Sequence, residues 1–151
     1  VDVDSVDRDI LAELTRDGRM TYQELGRAVR LSANAVADRV RRLRASGLLL
    51  GYHAKLDLTA LGRTLLMFTE ARLADPLRGA EFERGLAEFP QIIAAAHVTG
   101  EYDYQLRIAC TGTNEFEDVI DRLKRDHGVR ELRSRLVLRE IPLDPALVLQ
   151  G

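Results

Sequence analysis

The 151-residue chain has one cysteine, Cys110, and four prolines. A lone cysteine excludes an internal disulfide framework and any zinc site built from several thiolates. No apolar run approaches the roughly 20 residues a bilayer span needs; Ile92 to Ala96 is typical of the longest. The first residues, VDVDSVDRD, are acidic, which argues against a signal peptide or a basic transit segment. There is no glycine-rich phosphate loop, no catalytic serine motif and no paired-acid motif. His53, His97 and His127 share no metal-ligand spacing, and Cys110 falls in an alternating apolar pattern that suits a core residue better than a nucleophile. The expectation is a cytoplasmic protein with no cofactor, no metal, no membrane partner and no catalytic residues. No proline- or serine-rich stretch interrupts the chain.

What is present is unevenly distributed. Net charge is −2 overall, yet Arg19 to Lys55 carries eight basic residues against only Glu24 and Asp38. A basic block in an acidic chain is a candidate phosphate-facing surface, although a solvated helix face would look the same. This region reads as three helices. Helix 1, about Ser5 to Asp17, has Val6, Ile10, Leu11 and Leu14 on one face, Asp4 as cap and Gly18 as stop. Asp7 and Asp9 suit its N-terminal dipole. Helix 2 opens at Thr21 with Glu24 as a capping box, and Leu25, Ala28 and Val29 are expected inside. Only Arg30 and Leu31 separate it from the next cap, Ser32, which forces a sharp corner.

Helix 3 runs from Ser32 to a stop at Gly47, with a buried stripe of Val36, Val40 and Leu43. Its opposite face carries Asn34, Asp38, Arg41 and Arg42, with Arg39 nearby, and its first turns are small. Such a helix can press its N-terminal end into the major groove. Asn and Arg suit bidentate contacts to adenine and guanine, while Arg41 or Arg42 can instead grip phosphate, and Asp38 can accept from cytosine or orient an arginine. Ser32, Asn34, Asp38, Arg39, Arg41 and Arg42 are the candidate DNA-binding residues.

After Gly47 the period changes to two. Tyr52, Ala54, Leu56 and Leu58 alternate with polar residues, predicting a strand that serves as a wing or as a linker. The rest follows the order β-α-β-β-α-β: strands at about 64–73, 92–99, 104–110 and 129–141, a helix at about 79–88, and another opening at Asn114 with Glu117 as its capping pair. The fold class is α+β. Residues 1–50 are expected to form a helix-turn-helix (winged) DNA-binding domain, 51–62 a linker strand, and 63–151 a ferredoxin-like oligomerisation domain. Two helices cover one face of the sheet, and a second copy could cover the other, which predicts a dimer.

The stretches VDRDILAELTRDGRMTYQELGRAV, LSANAVADRVRRLRASGLLLGYHAKLDLTALG, VTGEYDYQLRI and GVRELRSRLVLREIP resemble the leucine-responsive/asparagine-regulator (Lrp/AsnC, feast/famine) family of transcriptional regulators across nearly the whole chain. The resemblance implies homodimers that often assemble to octamers, double-stranded DNA with pseudo-palindromic operators as the partner, and an amino acid as small-molecule effector. It places that effector between dimers near the turn reading TGEYD. Thr99, Gly100, Glu101, Tyr102 and Asp103 are then the effector candidates: backbone N–H groups around Gly100 for an α-carboxylate, Asp103 or Glu101 for the α-ammonium, Tyr102 as a wall. An ordinary hairpin turn is the alternative. Arg133, Ser134 and Arg135 depart from the small or hydroxyl residues many members carry on the last strand, which would favour acidic or larger effectors or remove binding. Two other functions fit the same fold: a sirohaem-decarboxylase-like enzyme using His97, and an architectural protein binding DNA with little sequence preference.

Overall fold

The computed structural model describes residues 1–151, which divide into two compact units: 1–55 with 141–151, and 56–140. The final segment, Ile141–Gly151, therefore groups with the N-terminal unit, not with the sheet domain in whose span the sequence placed it.

The first unit contains α1 (Ser5–Arg16), α2 (Tyr22–Val29) and α3 (Ala33–Ala45). Each starts on a side-chain cap. Asp4 and Asp7 close a reciprocal box on α1, Thr21 and Glu24 close one on α2, and Ser32 Oγ accepts from Ala35 N on α3 at 3.1 Å. The core is Ile10, Leu14, Leu25, Val36 and Val40, with Met20, Leu31 and Leu49 packed around it. Ala28 is exposed rather than inside, and α1 stops without a left-handed glycine. Its cap is Asp17 in an extended conformation, and Asp17 Oδ1 accepts from Arg19 N in a local turn. Against α1 the 141–151 segment makes a short 3₁₀ turn, Pro145–Leu149, with Asp144 bonded to Arg16 and Leu149 O accepting from Arg8.

The expected strand over 52–58 does not form within the chain: residues 51–57 have no regular structure, Leu58 opens a turn, and no strand of the chain pairs with them as a wing. Period two is a necessary pattern for a strand, but a ladder also needs a neighbour, and this chain supplies none here.

The second unit is β1 (Leu65–Leu73), α4 (Gly79–Gly85, continued by a 3₁₀ turn to Glu88), β2 (Ile92–His97), β3 (Tyr104–Cys110), α5 (Thr113–Asp126) and β4 (Val129–Leu136). The sheet is antiparallel with order β2-β3-β1-β4, the split βαβ arrangement expected. The core joins Ala71, Leu73, Tyr104, Leu106, Ile108 and Cys110 from the sheet to Phe82, Phe89, Val119 and Leu123, so both helices lie on one face. The other face shows Leu66, Phe68, Glu70, Gln105, Arg107, Arg133 and Arg135. β4 ends at Leu136 instead of Ile141 because β1, its partner, begins at Leu65. The α5 start also differs. Gly112 occupies its N-cap with no side-chain cap bond, and Glu115 reaches back to Thr111 N at 3.0 Å, so the Asn114–Glu117 pairing does not occur. No helix is long and apolar enough to cross a membrane.

Candidate nucleic-acid interface and effector turn

The corner between α2 and α3 is set by Gly26 and Arg30. Arg30 closes α2 in the left-handed region (φ 61°), and Gly26 O accepts from Leu31 N at 2.9 Å. A Cβ on Gly26 would lie 2.4 Å from Leu31 O, a backbone atom that cannot step aside. Gly26 is thus a determinant of how α3 is presented. Sequence reading missed it, since nothing local distinguishes this glycine from a tolerated one.

With the corner fixed, Val36, Val40 and Leu43 face the core, and Asn34, Asp38 and Arg41 project outward at spacings of four and three. Asp38 and Arg41 are paired with each other and are both more than two-thirds exposed. The other candidates take different roles. Ser32 is the helix cap. Arg39 donates from Nη1 to Asp4 Oδ2 (2.7 Å) and Asp7 Oδ1 (3.0 Å), and Arg42 donates from Nη2 to Asp7 Oδ2 (2.7 Å). Both arginines are therefore held by carboxylates at the start of α1, Arg42 with its side chain still 55% exposed. Arg39 holds the Asp4 carboxyl below the usual carboxylate range, and the two aspartates raise Arg39 in turn.

Asp7 is the residue behind this rearrangement. Its side chain is 1% exposed. A sequence signal existed: Asp7, Ile10, Leu11 and Leu14 follow i, i+3, i+4, i+7, so a carboxylate occupies the buried stripe of α1 and requires a cation to meet it. Which cation was not readable, because the partners lie 32 and 35 residues away.

In the second unit the TGEYD turn joins β2 to β3. Thr99, Gly100 and Glu101 are exposed, Gly100 sits at φ +114°, and no atom crowds its Cβ position. Asp103 is tied into the sheet: its N–H donates to Ala71 O (2.9 Å), and its Oδ2 accepts from Leu73 N (2.8 Å). One carboxylate oxygen is consequently committed to β1, which reduces Asp103 as an ammonium holder and leaves Glu101 the freer carboxylate. Arg133 lies over the Tyr102 ring at 4.9 Å and pairs with Glu70 at 2.7 Å. The β4 alternation separates the unusual trio: Arg133 and Arg135 face the uncovered side, while Ser134 bonds Thr69 on the helix side at 2.8 Å.

His97 stacks on Tyr104 with centroids 4.7 Å apart, and the Tyr104 hydroxyl donates to Glu83 at 2.9 Å. Burial, with that bond to Glu83, pushes the Tyr104 phenol up to about 12. Burial likewise pushes the Cys110 thiol up to about 11, as befits an inert core residue. His127 meets Glu88 at 3.0 Å.

Comparison with known proteins also gives two parts, with the second reaching into the segment 141–151 that groups structurally with the first unit. Residues 3–44 match the AsnC-type helix-turn-helix domain, and residues 67–147 match the Lrp/AsnC ligand binding domain. The chain is 33% identical to the leucine-responsive regulatory protein of Escherichia coli over 99% of its own length and 93% of the relative's. It is 32% identical to the HTH-type transcriptional regulator LrpA of Mycobacterium tuberculosis over 90% of each. Among solved structures, a Neisseria meningitidis transcriptional regulator in complex with L-methionine superposes with a TM-score of 0.91 at 30% identity, covering 99% of this chain and 98% of that one. A feast or famine regulatory protein from M. tuberculosis complexed with L-methionine gives 0.85 at 32%, covering 94% and 96%. A helix-turn-helix domain followed by a ligand-binding domain is thus shared with regulators over nearly their whole length, and the chain belongs to the Lrp/AsnC family of transcriptional regulators.

Proposed function

We propose that this protein binds double-stranded DNA at pseudo-palindromic operators through α3 and that a small effector, an amino acid, modulates that binding or the protein's assembly. The observation that carries the DNA reading is the outward stripe Asn34, Asp38 and Arg41 on a helix whose opposite side is fully buried. Asn34 lies in the first turn, where a helix entering the major groove meets base edges, and Arg41 can reach a guanine or a phosphate. The stripe is short, so readout rests on few side chains, and dimerisation would double it across two half-sites.

The uncovered face of the sheet, with Phe68 beside Ala94 and Ala96 and Leu66 further along β1, supports a homodimer, which the family's habit extends to an octamer. An amino-acid effector is supported by the L-methionine complexes of two structural relatives, and its place at the TGEYD turn by the family resemblance and the open surroundings of Gly100. Glu101 and the turn's N–H groups would take the two charges of a zwitterion, beside Tyr102 and Arg133.

Selection from a random-sequence duplex library followed by footprinting tests the DNA reading. A discrete protected palindrome is expected, and diffuse protection would show an architectural protein instead. Arg41→Ala should weaken binding to the selected duplex by about tenfold or more, the scale of one good base contact. Thermal shift against the twenty amino acids, repeated with Glu101→Gln, tests the effector; no shift with any of them in the wild type would refute an amino-acid ligand.

A further inference from the structure

We infer that Asp7, buried in α1, is a specificity-determining positioning residue: it withholds Arg42 from the DNA backbone and fixes the rotation of α3, so that base contacts rather than phosphate contacts dominate. This rests on the proposed DNA reading by α3.

The geometry separates the two arginines that Asp7 binds. Arg39 is held twice, by Asp4 at 2.7 Å and Asp7 at 3.0 Å, and would keep Asp4 if Asp7 lost its charge. Arg42 has a single anionic partner, Asp7, at 2.7 Å, and its side chain is 55% exposed. It lies one residue beyond Arg41, at the edge of the outward stripe. Arg42 is therefore a cation at the rim of the candidate interface, restrained by one buried carboxylate. Freed, it would be a mobile guanidinium beside a polyanion, adding affinity for any sequence. Held, it braces α3 against α1, because a buried carboxylate is stable only with its cations in place. Asp7 thus couples two properties of a reader, the register of the recognition helix and the number of non-specific phosphate contacts.

The count of freed arginines gives a number. One additional phosphate contact steepens the dependence of log K on log salt by about 0.9. The test uses the full chain, a duplex selected from a random-sequence library and a scrambled duplex, with binding followed by anisotropy across a potassium chloride series. Asp7→Asn should steepen the slope on both duplexes by about 0.9 for each protomer bound, about 1.8 for a dimer. It should also lower the selected-to-scrambled affinity ratio by about tenfold, the low end of what one lost base-pair contact costs. The double variant Asp7→Asn/Arg42→Gln should return the slope to the wild-type value. An unchanged slope in Asp7→Asn overturns the inference, as does a steeper slope that persists in the double variant. A purely structural Asp7 would weaken both duplexes together without moving the slope. If Asp7→Asn does not fold, Arg42→Gln decides the matter alone: the wild-type slope is expected, and a slope shallower by about 0.9 for each protomer bound would show that Arg42 already sits on phosphate. A wild type that does not prefer its selected duplex would instead refute the DNA reading itself, since the slopes remain measurable on scrambled DNA.

Discussion

The two units stabilise their helices in different ways. In the N-terminal unit all three helices open on side-chain caps, two of them reciprocal boxes. In the C-terminal unit neither α4 nor α5 has a side-chain cap bond at its N-cap. Those helices instead set Phe82, Val119 and Leu123 against the sheet. The contrast follows from what each unit can bury. Three short helices without a sheet have a small core and need each terminus satisfied locally, whereas a four-stranded sheet offers a broad apolar floor on which a helix end can go uncapped. The N-terminal unit should therefore be sensitive to single local changes, and the C-terminal unit to changes in its long-range ties.

The largest effect is expected at the α2–α3 corner. Gly26→Val places side-chain carbon against Leu31 O, where the bare Cβ position is already 2.4 Å away. It should destabilise the N-terminal unit by about 3 kcal/mol, the upper part of the overpacking range. Amide exchange should show loss of protection in α1–α3 with protection in β1 and β3 retained. Equal loss in both units would mean that they do not unfold separately.

A long-range tie in the other unit comes next. Glu115 bonds the Thr111 hydroxyl and N–H, then Gln91 and Arg63, and its carboxyl is held down to about 2 from the usual 4.5. A lowered folded-state value means that the carboxylate contributes stability in full above pH 4.5 and loses it as the pH falls through about 2. In urea denaturation between those pH values, Glu115→Gln should flatten the wild type's loss of C-terminal stability. The N-terminal unit should respond to the substitution at no pH.

These contrasts also explain what the sequence could disclose. The caps at Asp4, Thr21 and Ser32, the stripe Val36–Val40–Leu43 and strand β3 to the residue were legible because each is a relation within a few positions. The strand predicted at 52–58 failed because pattern does not supply a partner. Gly26 was overlooked because its constraint comes from a carbonyl in the next loop. The pairing of Asp7 with Arg39 and Arg42 was not legible, because charges meet across 32 or more residues by folding alone. The effector turn was legible as a turn and by resemblance. Its anchoring through Asp103 to Leu73 N was not, since that bond depends on the sheet order.

Removing a cap from the capped unit is the next smaller test. Thr21 Oγ1 accepts from Glu24 N at 3.1 Å while Glu24 Oε2 accepts from Thr21 N at 2.9 Å. Thr21→Ala should cost about 1 kcal/mol, and Thr21→Ser, which keeps the hydroxyl, only a fraction of that. The melt of the N-terminal unit should drop for the alanine variant alone. If alanine and serine behave alike, the box contributes nothing and the contrast between the units fails on that side.

Adding a cap to the uncapped unit is the complementary test and the smallest effect. Gly112 precedes α5 in a fully extended conformation (φ 178°, ψ −176°) that any residue can adopt, and nothing lies within 4 Å of its Cβ position. A serine there meets no clash and offers a hydroxyl to the first-turn N–H groups, while the unfolded chain loses some of glycine's freedom. Gly112→Ser should stabilise the C-terminal unit by about 0.5 kcal/mol, combining the small preference of serine over glycine at this position with the unfolded-state term. Gly112→Ala separates the two contributions, because it carries the unfolded-state term without the cap. Serine above alanine in urea midpoint would show that α5 has an unfilled capping position. Serine equal to alanine would mean that the Thr111–Glu115 contacts already satisfy the start of the helix, which then needs no cap of its own.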